Sequence, residues 1–189
     1  MNVIDTNKIG IEPGLLIALS ALLLTSAFTD LKSQRIPNYL TLPSMIVALT
    51  LYSTTSGFDG FLFSVAGMAT GIALLVLPYI MGGMGAGDVK LMGAVGSFLG
   101  TKATLGAFLF IALAGGIYSL AIILIRRDMF KGFFSEKLLL LSSMVMLKQY
   151  VPIETGNTGQ KLRLKYGVAI AFGTITYLLT KALGIKFFI

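Results

Sequence analysis

Apolar runs long enough to cross a lipid bilayer recur along this chain of 189 residues. The first covers Ile11–Thr29, and about 20 helical residues span about 30 Å, the thickness of the hydrocarbon core. Hydrophobic residues make up 56% of the chain and charged residues only 12%, whereas a typical soluble domain has about 25% charged residues. This composition excludes a soluble enzyme, a disordered protein and a disulfide scaffold. It predicts an all-α, polytopic membrane protein.

Five further apolar segments bring the prediction to a bundle of about six transmembrane helices in one membrane-embedded domain over residues 1–189. The segments are Tyr39–Ser53, Gly60–Met81, Asp88–Gly100, Ala103–Ile125 and Tyr166–Leu183. Small and polar residues over Thr54–Gly57 predict a turn between the second and third helices. The third and fourth helices contain glycines spaced by four, Gly67 with Gly71 and Gly96 with Gly100, a pattern typical of close helix packing.

The basic residues predict the orientation of these helices. With the N-terminus outside, eleven of the fifteen Lys and Arg residues fall in three loops, at 31–38, 82–90 and 126–165. Cytoplasmic loops carry an excess of Lys and Arg, so this distribution predicts an N-out, C-out topology with the three loops in the cytoplasm. We therefore assign the net charge of +7 to membrane topology and the lipid bilayer, and we expect no nucleic-acid partner.

Two segments have alternative interpretations. The run at 11–29 ends in small residues, Thr25-Ser26-Ala27, as a cleaved signal peptide does, but the residues before it are not basic, since Asp5 and Glu12 offset Lys8. We therefore interpret it as a retained helix. The apolar stretch Leu138–Leu147, inside the basic segment 126–165, has only ten residues and is interpreted as an interfacial helix.

The residues available for chemistry are few, because the chain has no Cys and no His. Thiolate chemistry, zinc thiolate sites and the usual general base are thereby excluded, and we predict no metal and no cofactor. Eight carboxylates remain. Asp30 and Asp88 lie at predicted helix boundaries on the same membrane face, where an ionisable group is a candidate functional residue. The other six are interpreted as solvated charges: Asp5, Glu12, Asp59, Asp128, Glu136 and Glu154.

Two neighbouring carboxylates can perform hydrolysis without any other catalytic group. They do not readily ionise together, so they share one proton. The ionised carboxylate then activates a water molecule while the protonated one polarises the scissile carbonyl, as in aspartic proteases. Structural alternatives exist for each residue: Asp88 is a favourable helix cap, and Asp30 is a helix-end charge that pairs with Lys32 or Arg35.

Three segments resemble the prepilin peptidases, membrane aspartic proteases that process type IV pilins and pseudopilins. Gly85-Ala86-Gly87-Asp88-Val89-Lys90-Leu91 resembles the GxGD signature of that family. The segment Asp30–Thr41, which contains Arg35-Ile36-Pro37-Asn38, resembles the one that holds the first catalytic aspartate. Tyr166–Ile170 resembles the start of the last helix of the family, although Lys165 stands where a proline often precedes the tyrosine.

The resemblance implies that Asp30 and Asp88 are the catalytic residues. It also implies removal of a short basic leader from a prepilin or pseudopilin at the cytoplasmic face of the bacterial inner membrane. Larger members carry a methyltransferase domain with paired Cys-x-x-Cys motifs, whereas this chain has no Cys. It therefore resembles the short, peptidase-only members, such as those that serve tight-adherence (Flp) pili.

Other motif residues are candidates for shaping the approach of the substrate: Gly85, Gly87, Lys90, Arg35, Pro37 and Asn38. Glycines at positions 85 and 87 would let a peptide backbone come close, with helix packing alone as the structural alternative. The other residues have structural alternatives as well. Lys90 is placed to anchor its helix by extending to the membrane surface, and Pro37-Asn38 is placed to form a turn and cap into the second helix.

Three other interpretations fit the sequence less well. A proton-coupled transporter would also use carboxylates within the membrane, but such carriers often show internal repeats, and none is visible here. A presenilin-like protease shares GxGD, but its first aspartate follows a tyrosine, whereas Asp30 follows Thr29. A structural assembly subunit would explain the glycines as packing surfaces and leave the two aspartates without a role.

Overall fold

The computed structural model describes residues 12–125 and 166–184, and these are almost entirely helical. The four helices are α1 (Pro13–Ser33), α2 (Asn38–Ile80), α3 (Ala86–Ile125) and α4 (Tyr166–Ala182). Three of them, with α3 counted over Ala86–Ala121, are long and apolar enough to cross a membrane. The predicted all-α class is confirmed for the described residues, while the count of about six helices and their orientation stay predictions.

Helix α2 reverses direction at Gly57, whose backbone leaves the helical conformation with φ 61° and ψ −138°. Beyond this residue, Gly60 lies against the carbonyl group of Tyr52, and the rings of Tyr52 and Phe63 are 4.9 Å apart. Residues eight apart in an unbroken helix would be separated by about 12 Å along the axis. The two arms of α2 thus correspond to the second and third predicted helices. The predicted turn is narrower than expected, because residues 54–56 stay helical.

A second glycine interrupts α3. Gly100 has φ 72° and ψ 172°, and the ring of Phe63 occupies the space where a side chain would stand. Only glycine adopts this region of backbone conformation without strain. The break separates residues 86–99 from residues 101–125, in the same place as the predicted boundary between the fourth and fifth helices.

The ends of two helices differ from the prediction. Helix α1 continues to Ser33 instead of ending at Thr29, so Asp30 lies within its last helical residues. The helix stops where Gln34 takes a left-handed conformation and donates its backbone N–H to the carbonyl oxygen of Asp30 at 3.0 Å. Helix α3 begins at Ala86, two residues before the predicted start, so Asp88 belongs to its first turn.

The second arm of α2 packs against the first part of α3 through glycines. A β-carbon at Gly67 would collide with the carbonyl oxygen of Gly96, and one at Gly71 would collide with that of Met92. As the residue number rises in α2 it falls in α3, so the two segments run antiparallel. The predicted use of these glycines for close packing is confirmed.

Helix α4 packs between α1 and the second part of α3. Its contacts with α3 are also antiparallel and again involve glycines. The contacting pairs are Gly106 with Tyr177, Ile111 with Gly173, and Gly115 with Tyr166. On its other side, the first turn of α4 lies beside the last turn of α1, which carries Asp30.

The described residues up to Gly115, together with 166–184, belong to one compact unit, and residues 116–125 belong to a second. The basic segment 126–165, with its predicted interfacial helix Leu138–Leu147, lies outside the described residues. Within the described part, many large apolar side chains face outwards, among them Phe28, Tyr39 and Ile80. Such a surface suits contact with lipid, because lipid chains are as apolar as these side chains.

Candidate active site

Asp88 is the third residue of α3, and the turn before it holds its carboxylate. The backbone N–H of Gly85 donates to Asp88 Oδ2 at 3.0 Å, while the N–H of Asp88 donates to the carbonyl oxygen of Gly85 at 3.1 Å. Gly85 therefore stands at the N-cap position, and Asp88 reaches back to it as the third residue of a capping box does. The expected cap is present, but Asp88 contributes to it from inside the helix. The side chain is nearly buried, with 7% of its surface exposed.

Asp30 is more deeply buried, with 4% of its surface exposed. It faces the start of α4 at Gly167. A β-carbon at Gly167 would lie 2.9 Å from Asp30 Oδ2 and 3.1 Å from Asp30 Cβ, so the two residues are in direct contact. The last helix of the described chain thus forms one wall around this carboxylate.

Ile36 joins the surroundings of the two aspartates. Its Cβ lies 3.1 Å, and its carbonyl oxygen 3.3 Å, from the position of a β-carbon at Gly87, the residue before Asp88. At the other end of the same side chain, Cδ1 lies 2.9 Å from the β-carbon position of Gly167. The loop between α1 and α2 is therefore held between the beginnings of α3 and α4. Asp30 and Asp88 therefore lie at the same end of the bundle, on either side of Ile36.

A hydrogen bond between helices flanks this end of the bundle. Lys90 Nζ donates to Asn38 Oδ1 at 3.0 Å, joining α3 to the first residue of α2. The expected cap by Pro37-Asn38 is not seen, because Pro37 occupies the N-cap position and no side chain caps the helix. Asn38 lies one residue too far into the helix to cap it, and its side chain accepts the bond from Lys90 instead.

Several predicted approach residues are already in contact with protein groups. The backbone N–H of Gly85 is hydrogen-bonded to the Asp88 carboxylate, and Gly87 packs against Ile36. Arg35 is exposed, like Lys32, whereas Asp30 is buried.

Within the ranges 12–125 and 166–184, no group of three or more carboxylates comes together in a way that would hold a metal ion.

Sequence reasoning overlooked two residues of this site, Ile36 and Gly167. Both lay inside segments that the resemblance had singled out, Ile36 beside Arg35 and Gly167 beside Tyr166. Their neighbours drew attention because they are charged or aromatic. A buried aliphatic side chain and a glycine carry no chemical signal of their own.

Residues 17–120 match the family model described as the Type IV leader peptidase family. The chain is 34% identical over 115 residues to a prepilin leader peptidase/N-methyltransferase of Bacillus subtilis, covering 59% of this chain and 45% of that protein. It is 30% identical over 115 residues to the protein of that name in Myxococcus xanthus, covering 57% and 34% of the two chains. For the one in Aeromonas salmonicida the identity is 35% over 121 residues, covering 58% and 41%.

The chain spans less than half the length of these relatives. No solved structure matches it. The family match includes Asp30, Ile36, Gly87 and Asp88, and it favours a peptidase over a proton-coupled transporter. With its apolar helices the protein is an integral membrane protein. Because the match covers more than half of the chain, the protein belongs to the type IV leader peptidase family.

Proposed function

We propose that this chain is a membrane aspartic endopeptidase that removes the short leader of type IV or Flp prepilins and pseudopilins, with Asp30 and Asp88 as its catalytic residues. One observation carries the proposal: two nearly buried carboxylates on separate helices lie at one end of the bundle, inside the region that matches the family. The relatives' names also include N-methyltransferase. We assign only the peptidase reaction to this chain. The methyltransferase domain of larger members carries paired Cys-x-x-Cys motifs, and this chain has no Cys.

In the proposed reaction the two carboxylates share one proton. The ionised carboxylate removes a proton from a water molecule, which attacks the scissile carbonyl carbon. The protonated carboxylate hydrogen-bonds to the carbonyl oxygen and stabilises the tetrahedral intermediate. A proton then passes to the leaving amine as the C–N bond breaks, and the pair returns to sharing one proton.

The contacts around each carboxylate support this assignment, because a catalytic carboxylate must be held in place. The N–H of Gly85 orients Asp88, and the close approach of Gly87 to Ile36 fixes the start of α3 against the loop that follows Asp30. Lys90 and Asn38 add a second link between the same two segments. We propose that Arg35 and Pro37, in the same loop, help to shape the entry for the leader.

We place the reaction at the cytoplasmic face of the bacterial inner membrane, in a bundle of about six helices with both termini outside. The breaks at Gly57 and Gly100 support the count, since α2 has 43 residues and α3 has 40. A straight helix of either length would extend about 60 Å, twice the hydrocarbon thickness. Each is therefore long enough to cross twice.

A cleavage assay in membranes tests the proposal. The purified protein is mixed with a Flp-type prepilin, beside Asp30→Asn, Asp88→Asn and a matched control, Asp59→Asn, whose carboxylate is exposed. We expect cleavage at the leader junction by the parent and the control and by neither of the other variants, all remaining folded. Cleavage at the parental rate by Asp30→Asn or Asp88→Asn would remove that residue from the mechanism. A folded parent that cleaves none of several prepilins would contradict the proposed function itself.

A further inference from the structure

Gly167, the second residue of α4, stands out because its backbone does not require glycine. Its φ is not positive, unlike that of Gly57, Gly82, Gly100 and Gly184. Glycine within a helix costs about 0.5–1 kcal/mol relative to alanine. The need for a glycine at this position therefore arises from its neighbours in space.

Those neighbours are the carboxylate of Asp30 and the side chain of Ile36. A β-carbon at Gly167 would lie 2.9 Å from Asp30 Oδ2 and 2.9 Å from Ile36 Cδ1, closer than β-carbons come to non-bonded atoms in proteins. Elsewhere in α4, the missing side chain of Gly173 makes room for the backbone of Ile111. Gly167 thus makes room for a proposed catalytic group, whereas Gly173 makes room for a neighbouring helix.

An added methyl group at position 167 would meet Asp30 at two atoms. Its carbon would lie 2.9 Å from Oδ2 and 3.1 Å from Cβ of Asp30, whereas it would meet Ile36 at Cδ1, the end of a flexible side chain that can turn away. Asp30 would therefore have to shift, and the shift changes its position relative to Asp88.

We infer that Gly167 is a positioning residue for Asp30, so that α4 sets the geometry of the carboxylate pair without touching the substrate. The inference rests on the proposed function and names a residue outside the region of the family match, which ends at residue 120. Its contribution comes through space: the absence of a side chain at position 167 allows Asp30 to lie where the pair can share a proton.

The test compares Gly167→Ala with Gly173→Ala in the prepilin cleavage assay. We expect Gly167→Ala to lower kcat about 10²-fold with little change in KM, as a displacement of about 1 Å at a reacting group can do. Its pH–rate profile should change shape, because the coupling between two carboxylates depends on their separation. Gly173→Ala should lower thermal stability, since its β-carbon would lie 2.5 Å from Ile111 Cα. Per folded molecule it should keep the parental kcat and pH profile.

Two kinetic results would overturn the inference. One is a Gly167→Ala enzyme with parental kcat and pH profile per folded molecule. The other is a Gly173→Ala enzyme with the same loss and the same change of profile, which would reduce Gly167 to a packing residue.

A cross-linking experiment checks the contact independently of activity and of the folding of Gly167→Ala. The chain has no Cys, so Asp30→Cys with Gly167→Cys introduces a single pair. The β-carbon position of residue 167 is 3.1 Å from Asp30 Cβ, slightly shorter than in a disulfide, which needs about 3.5–4.5 Å. We expect oxidation to form the disulfide in this pair but not in Asp30→Cys with Gly173→Cys, which lies about 9 Å further along α4.

The two experiments separate the inference from the function. A cross-link that fails in the folded protein refutes the contact, and with it the positioning role, whatever the cleavage assay shows. A cross-link that forms in a protein whose parent cleaves no prepilin places the failure in the proposed function. The contact would then stand, and the role of Gly167 in catalysis would fall with the function.

Discussion

Two glycine-lined contacts in this protein differ in what the glycines face. Between α2 and α3, Gly67 and Gly96 each make room for the carbonyl oxygen of the other, so two helix backbones touch. At the aspartate end, Gly167 makes room for the Asp30 carboxylate, and Gly87 makes room for Ile36. The first contact joins two helix backbones, while the second places glycines against the side chains of Asp30 and Ile36.

Buried hydroxyl groups show the same contrast. In the contact between α2 and α3, Ser64 Oγ donates to the carbonyl oxygen of Ser97 at 2.9 Å, and Tyr52 Oη donates to that of Phe98 at 2.8 Å. Three other buried hydroxyls have no hydrogen-bond partner among the described residues: Ser26, one helical turn before Asp30, Thr41 on α2 and Thr174 on α4. Both hydroxyls at the contact between α2 and α3 are thus hydrogen-bonded, whereas the hydroxyl of Ser26 beside Asp30 is not.

The largest predicted effect tests whether the aspartate end acts as one catalytic unit. Asp30→Asn and Asp88→Asn should each lower kcat about 10²–10⁴-fold, the usual contribution of a general acid or base. The double variant should be no slower than the slower single variant, because neither carboxylate works without the other. Single-turnover cleavage of a prepilin measures this. Losses that multiply in the double variant would show that the two residues act independently.

A second prediction concerns the contact between α2 and α3. Gly96→Ala would place a methyl group against the carbonyl oxygen of Gly67. We expect it to lower the free energy of unfolding by about 1–3 kcal/mol, the usual cost of overpacking. Per folded molecule, kcat should stay at the parental value.

Thermal denaturation in detergent and cleavage normalised to folded protein measure both quantities for Gly96→Ala. Gly14→Ala serves as the control, because a β-carbon there meets no other atom within 4 Å. A change of kcat without a loss of stability in Gly96→Ala would remove the distinction between the two contacts.

Features that depend on neighbouring residues in the chain could be predicted from the sequence, and features that depend on residues distant in the chain could not. A bilayer allows only helices or closed barrels to cross it, so the apolar runs predicted the helices well. The local sequence also predicted a turn that ends at Gly57 and a helix boundary at Gly100. The extension of α1 to Ser33 was not predicted, because it depends on Gln34 adopting a left-handed conformation that non-glycine residues seldom take.

In the candidate site, the two aspartates could be predicted from the sequence, whereas the contacts around them could not. Asp30 and Asp88 emerged because the chain offers few other reactive side chains, having no Cys and no His. The contacts of Ile36 with Gly87 and Gly167 join three segments that are distant in the chain, and no periodic pattern reports such contacts. The bond from Lys90 to Asn38 was missed for the same reason, since each residue has a plausible local role at the surface or at a helix end.

A third prediction concerns that bond between α3 and α2. Lys90→Met and Asn38→Ala should each lower the free energy of unfolding slightly, with a coupling of about 1 kcal/mol in the double-mutant cycle. This coupling is smaller than that of a buried hydrogen bond to a charged group, because the bond between Lys90 and Asn38 is exposed to solvent. Lys90→Arg keeps a donor and should retain most of the stability. Additive effects would show that Lys90 serves only to anchor its helix at the membrane surface.

The smallest predicted effect compares two serines that are equally buried. Ser64→Ala should lower the free energy of unfolding by about 1 kcal/mol, because it removes a hydrogen bond between α2 and α3. Ser26→Ala should be neutral or slightly stabilising, since its hydroxyl has no hydrogen-bond partner among the described residues. Thermal denaturation of both variants measures the difference. A loss in Ser26→Ala as large as that in Ser64→Ala would contradict the contrast, because it would show that the hydroxyl beside Asp30 makes a bond that stabilises the fold.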